Sequence, residues 1–232
     1  MKVKKLRQAE KAREDMQKFE LSAKKNGPLR ILCLGAHSDD IEIGCGGTML
    51  RLLAEHPASD VRWVVLGSSG RRNGEAAASA KKFLAGAKRR VIDIEGFEDG
   101  FFPFCGADLK KFFEKLKKRA SPDLIFTHSR HDLHQDHRLV SELTWQTFRD
   151  HLILEYEVVK YDGDLGSPNF YVPLSAPVCK KKIDYLMSSF PSQKNRDWFT
   201  PDAFLSILRI RGIEARAAEK YAEAFTCRKI VV

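Results

Sequence analysis

Two short clusters of histidines and aspartates stand far apart in the chain, each directly after an apolar run. The first is Ala36-His37-Ser38-Asp39-Asp40. The second runs His128-Ser129-Arg130-His131-Asp132-Leu133-His134-Gln135-Asp136-His137, and five of the seven histidines fall in the two together. Imidazoles and carboxylates are the ligand types of a catalytic zinc, which takes three protein ligands and leaves a fourth position open for water. A His and an Asp from the first cluster with a His from the second would make such a set. In the Asp39-Asp40 pair, one carboxylate can bind the ion while the other faces the water as general base. The polar alternatives are an N-cap role for Asp39-Asp40, because a helix starts near Ile41, and capping by Asp136. His131, His134 and His137 are candidates for metal binding or catalysis. His128 either supports a ligand from behind or ends a strand with a hydrogen bond.

The elements that must carry these loops alternate strand and helix. Strands are expected over 30–35, 61–66, 90–94 and 123–127, and helices over 41–55, 74–85, 108–119 and 139–149. Repeated βα units predict a mostly parallel sheet with helices on both faces. In such a sheet ligands bind beyond the carboxyl ends of the strands, where both clusters would lie. Past residue 150 the pattern is mixed: a strand over 152–161, a loop over 162–169, a short strand at 170–172, and helices over 177–188 and 201–211. This part is expected to close over the site. Gly44-Cys45-Gly46-Gly47 lies inside a helix and does not follow a nucleotide-binding glycine pattern, so it reads as close packing of that helix on the sheet.

The 232 residues, 43% hydrophobic and 31% charged, suit one α/β domain over 27–232, preceded by a basic amphipathic helix over 1–26. That N-terminal stretch has a stripe of Leu6, Ala9, Ala12, Met16 and Phe19, and carries nine Lys/Arg against four Asp/Glu. It supplies about half of the net charge of +9. No apolar run is long enough for a transmembrane segment, and the charged start lacks a signal core, so a cytoplasmic location is expected. Five scattered cysteines without a Cys-x-x-Cys pair exclude a thiolate zinc knuckle and a disulfide framework. Cys33 and Cys45 read as small core residues. No Gly-x-Ser-x-Gly elbow is present, which argues against a serine hydrolase. No basic motif interleaved with aromatics is present either, so no specific nucleic-acid partner is expected. A homo-oligomer stays open.

Ala36-His37-Ser38-Asp39-Asp40 resembles the Ala-His-Pro-Asp-Asp motif of the PIG-L/LmbE-like deacetylases, and His134-Gln135-Asp136-His137 is similar to the same family's His-x-Asp-His motif. The resemblance covers roughly residues 30–150. It implies a Rossmann-like three-layer α/β sandwich of LmbE type and a zinc-dependent N-deacetylase acting on a small-molecule or glycoconjugate substrate. By position it implies His37, Asp40 and His137 as ligands of one Zn2+ per chain, with Fe2+ as the other ion such a donor set takes. Asp39 would be the general base, His134 would stabilise the oxyanion or protonate the leaving amine, and Asp136 would orient a histidine. The chain departs from the motif at Ser38, which can still make the turn. Arg72-Asn73-Gly74-Glu75 resembles an Arg-x-x-Glu element near the family's substrate, so Arg71 or Arg72 would bind a phosphate or sugar hydroxyls. Asp99 and the following Gly100-Phe101-Phe102 would line the pocket. Two rivals remain: hydrolysis of another amide or ester at the same ion, and a basic protein binding nucleic acid or an anionic surface with a non-catalytic metal site.

Overall fold

The computed structural model describes Phe19 and residues 27–231. The helix expected over 1–26 lies outside the described residues except for Phe19, whose ring meets Phe170 edge-on at 6.3 Å. In chain order the elements are β1 (Arg30–His37), α1 (Asp40–Glu55), β2 (Asp60–Gly67), α2 (Arg71–Phe83), β3 (Arg89–Ile94), a 3-10 turn (Phe102–Cys105), α3 (Gly106–Arg119), β4 (Leu124–His128), α4 (Gln135–Thr147), β5 (Leu152–Tyr156), β6 (Phe170–Leu174), α5 (Ala176–Ser189), a second 3-10 turn (Pro191–Gln193), α6 (Pro201–Glu214) and β7 (Tyr221–Cys227).

The seven strands form one sheet in the order β3-β2-β1-β4-β5-β7-β6. The first five are parallel, and β7 runs antiparallel to both of its neighbours. The chain winds outward from β1 to β3, then returns to place β4 on the other side of β1. The gap between the ends of β1 and β4 is therefore the topological switch point of a Rossmann-like sheet. His37 ends β1 and His128 ends β4.

Both faces of the central strands are covered, which is why they read as unbroken apolar runs. Ile31 and Cys33 of β1 face one core with Met49, Leu53, Phe83 and Leu208. Leu32, Leu34 and Ala36 face the other, with Leu109, Phe113, Val140 and Leu143 of α3 and α4. Cys33 and Cys45 are both fully buried, as expected of core residues. The glycines of α1 serve close packing. A Cβ on Gly44 would lie 2.1 Å from Tyr156 Cδ2, and one on Gly47 2.5 Å from Leu174 Cδ1. Tyr156 cannot retreat, because its hydroxyl donates to the Leu34 carbonyl at 2.6 Å. Gly44→Ala is therefore expected to lower stability by about 1–3 kcal/mol, the range for an overpacked core. A denaturant midpoint equal to the parent's would show that α1 can move off the sheet.

Three expectations about the elements change. The strand expected over 152–161 stops at Tyr156, which lies opposite His128, the last residue of its neighbour β4. Helix α4 starts at Gln135 rather than 139, so its first turn holds the polar Asp136 and His137, which no apolar stripe announces. Strand β7 is not among the expected strands. It carries Glu223 on a buried face, which breaks apolar alternation. That carboxylate accepts from Lys182 Nζ at 2.6 Å and from the Gly47 and Thr48 N–H groups at 2.8 and 2.6 Å. It fastens β7 to α1 and α5.

Candidate metal centre

The first cluster is shaped by the turn from β1 into α1. Asp39 occupies the cap position of α1, but its side chain caps nothing. Asp40 Oδ2 instead reaches back to accept the His37 backbone N–H at 2.6 Å, which holds the turn closed. Ser38 is buried, and its hydroxyl donates to Ser68 Oγ at 2.9 Å, tying the turn to the end of β2. In the second cluster His134 is the cap of α4, and its Nδ1 accepts the Asp136 N–H at 3.3 Å. That bond places the His134 proton on Nε2. Asp136 does not cap the helix.

Three atoms from the two clusters converge. His37 Nδ1 lies 3.1 Å from His137 Nε2, and Asp40 Oδ2 lies 3.4 Å from each. A tetrahedral ion with bonds of about 2.0–2.1 Å spaces its ligands by about 3.3–3.4 Å, so this donor set fits zinc in both type and separation. The outer nitrogens are spoken for. His37 Nε2 faces Asp136 Oδ2 at 3.1 Å and Asp99 Oδ1 at 3.0 Å. His137 Nδ1 faces Asp132 Oδ2 at 2.9 Å. A carboxylate on the far nitrogen fixes the tautomer that leaves the near nitrogen's lone pair toward an ion. Among the described residues, further donor groups join His134 to His37 and His137, and His128 to Asp40 and His137.

The pocket is crowded with carboxylates, and the histidines respond. Burial works against a charged His137, but Asp40 and Asp132 outweigh it and push it up to about 9. Burial likewise opposes charge on His37, and Asp136, Asp40 and Asp99 carry it well above the ordinary histidine range. Asp40 resists burial through His137 and His128 and stays well below the usual carboxylate range. A site that recruits protons this strongly offers a divalent cation the same negative surroundings. His128 is the exception. Burial and the neighbouring His137 lower it to about 4. Its Nε2 accepts the Ala36 N–H at 2.9 Å and its ring stacks under His137 at 3.9 Å, so it ends β4 and floors the site.

Asp39 stands beside this set with a different environment. Burial raises it, and Arg72 offsets only part of that. Arg72 Nη2 donates to Oδ1 at 2.8 Å, while Oδ2 has no hydrogen-bond partner among the described residues. Of the residues expected to bind substrate, Asp99 and Arg72 reach the cluster. Arg71 does not: it is exposed, 3.9 Å from Glu75. Glu75 in turn accepts the Ser192 N–H at 3.1 Å and anchors the second 3-10 turn rather than pairing with Arg72. His131 is also outside. It is exposed, and its N–H donates to Ser129 Oγ. Asp132, which holds His137, is not among the residues the sequence singles out; its place five residues before His137 gives it no helix-face relation to mark it.

Glu42, in the first turn of α1, is fully buried and pushed up to about 8, chiefly by burial. Its folded form keeps a proton that the unfolded chain releases near 4.5, so stability is expected to fall as pH rises from about 4.5 to 8. Glu42→Gln should remove that loss. With both proteins stripped of metal, the variant gains on the order of 2–4 kcal/mol over the parent at pH 8 and nothing at pH 4. Parallel unfolding curves at the two pH values would remove Glu42 as a buried neutral acid.

Among the described residues no helix is long and apolar enough to cross a membrane. A search of curated proteins finds no match for the chain. Solved structures do match. The conserved protein TT1542 from Thermus thermophilus is 24% identical with a TM-score of 0.70, over 88% of this chain and 96% of that one. The N,N'-diacetylchitobiose deacetylase of Pyrococcus horikoshii is 20% identical with a TM-score of 0.65, over 90% and 87%. GalB, the 4-carboxy-2-hydroxymuconate hydratase of Pseudomonas putida, is 17% identical with a TM-score of 0.66, over 88% and 97%. These likenesses establish the fold, and the hydratase among them shows that the fold alone does not set the reaction. The family model for GlcNAc-PI de-N-acetylase matches residues 32–148, half of the chain and both His/Asp clusters within it, and the chain belongs to that family, PIG-L.

Proposed function

We propose that the chain is a metal-dependent hydrolase that removes the N-acetyl group from an acetamido-sugar type of substrate, whether free sugar, nucleotide sugar or glycoconjugate. The observation that carries this reading is the convergence of His37 Nδ1, Asp40 Oδ2 and His137 Nε2 next to Asp39, whose Oδ2 has no other partner among the described residues. Family membership and the deacetylase named among the similar structures support it. His37, Asp40 and His137 would hold one zinc, with Fe2+ the alternative ion.

When bound, such an ion supplies a Lewis acid and brings the pKa of a water at the open position from about 15.7 toward ~7. Asp39 Oδ2 accepts the proton of the attacking water; burial makes that carboxylate more basic than a solvated one. His134, with its proton on Nε2, donates to the oxyanion of the tetrahedral intermediate and can pass that proton to the leaving amine. Asp136 accepts the Gly100 and Phe102 N–H groups at 2.7 and 3.2 Å while keeping His37 oriented. Arg72 and Asp99 border the place where sugar hydroxyls would lie, so either can contribute to substrate binding. Loss of acetate leaves a free amine.

The test is to incubate the zinc-loaded chain with N-acetylglucosamine and with N,N'-diacetylchitobiose and to assay free amine and acetate together. Equal release of both, abolished by a chelator and restored by zinc, is the expected result. Amine released without acetate from another amide would keep the metal chemistry and replace the acyl group. No release from any acetamido sugar would remove the deacetylase reading.

A further inference from the structure

The segment between β5 and β6, residues 157–169, has no helix or strand of its own, yet it is fastened at both ends and between them. At its base Arg211, itself buried, donates to both Glu157 oxygens at 2.7 and 2.9 Å and to the Gly166 carbonyl at 2.9 Å. Asn169 exchanges hydrogen bonds with Cys227 of β7 at 2.8 and 3.1 Å. Three residues past the base, Lys160 turns inward and its side chain is almost fully covered. Its Nζ lies 3.1 Å from Asp132 Oδ1 and also contacts Asp164 Oδ2, with Asp162 at 4.0 Å. Asp164 Oδ2 takes the Leu133 N–H at 2.7 Å as well.

Asp132 is the joint in this arrangement. Its Oδ1 accepts from Lys160 Nζ and from the His134 N–H at 2.8 Å, and its Oδ2 is left to face His137 Nδ1. The Lys160 ammonium thus occupies one oxygen and aims the other at the histidine. We infer that Lys160 is a positioning residue: through Asp132 it orients His137, so that the 157–169 loop, which borders the site, sets the quality of the metal centre. The inference rests on the proposed role of His137 as a metal ligand. Nothing in the motifs points to it, because Lys160 lies beyond the span of the family match.

The physical reason is charge. Asp132 is buried, Asp164 is half-buried with its carboxylate largely covered, and the two share one ammonium. Lys160→Met keeps the length of the side chain and removes that charge. Two carboxylates then face each other without a cation, Asp132 turns from its neighbour, and His137 loses the acceptor that fixes its ring. Partners of this kind are worth about 10–100-fold in metal affinity.

The experiment measures zinc affinity by competition with a chromophoric chelator, on the full chain, for the parent, Lys160→Met, Asp132→Asn, the double variant and Asp164→Asn. Lys160→Met is expected to weaken zinc by about 10–100-fold. The double variant should bind no more weakly than Asp132→Asn alone, since Lys160 acts only through Asp132. Asp164→Asn, which loosens the loop but leaves Lys160 to Asp132, should stay close to the parent and serves as the readout if Lys160→Met fails to fold. Multiplying losses in the double variant, or an Asp164→Asn protein that has lost zinc, would assign the effect to loop order and overturn the inference. So would a Lys160→Met protein that holds zinc as the parent does. A parent chain that takes up no zinc is a separate outcome and overturns the metal reading beneath it.

Discussion

Asp39→Asn is expected to keep its zinc and lose its turnover. The substitution preserves shape and the contact with Arg72, whose guanidinium can still donate to the amide oxygen in place of Oδ1. It leaves the three converging donors intact, because Asp39 is not among them. What disappears is a basic oxygen in a buried place. Asp39 is raised by burial from its ordinary value, which makes it a better proton acceptor than a surface aspartate, and its Oδ2 spends no hydrogen bond elsewhere among the described residues. General base catalysis contributes about 10²–10⁴-fold, and kcat on an N-acetyl sugar should fall within that range while KM stays near the parent value. The pairing of measurements decides the role. Zinc content unchanged with kcat lost assigns Asp39 to proton transfer. Zinc lost together with kcat would make Asp39 a ligand and return the base to another residue. Full turnover with zinc present would remove Asp39 from the mechanism altogether.

The parts of this centre that can be read from the sequence share one property: their meaning is local. Strands β1 and β4 are buried on both faces, so they announce themselves as apolar runs, and the donors that follow them are rare residue types in tight spacing. The open-sheet rule then brings the two loops together without further information. Gly44 to Gly47 is readable for the same reason, since small residues inside a helix have few uses other than close approach. What cannot be read depends on partners distant in the chain. Asp132 becomes important only because His137 turns its Nδ1 toward it, and Lys160 only because the 157–169 loop folds back. The start of α4 escapes the pattern because its first turn is given over to Asp136 and His137, which face the site rather than a core. Strand β7 is hidden by Glu223, whose burial is intelligible only with Lys182 and the amides of α1 beside it. His131 shares a three-residue spacing with His134 and His137, but it precedes α4, so helical periodicity does not apply to it.

His137→Ala should abolish metal binding and activity together. Three donors converge in the folded chain, and two of them, His37 and Asp40, come from one turn. His137 is the contribution of the second cluster, so its loss leaves an ion held from one side only. An affinity loss of more than about 100-fold is expected, beyond what removal of a supporting carboxylate costs. The change also strands other groups. Asp132 Oδ2 loses its imidazole partner, and the His128 ring loses the face on which it stacks at 3.9 Å. The fold should nevertheless survive, because β4 and α4 are held by Ile125, Val140 and Leu143 in a core separate from the site. Elemental analysis after dialysis, with amine release measured on the same samples, tests this. His131→Ala, altered at an exposed histidine outside the donor set, should keep both zinc and turnover. If His137→Ala retains stoichiometric zinc and full turnover, the ion sits elsewhere, and the second donor group of His37, Asp99, His134 and Asp136 becomes the place to look. If zinc persists but turnover is lost, His137 acts on the substrate and not on the ion, and His134 and His137 exchange roles.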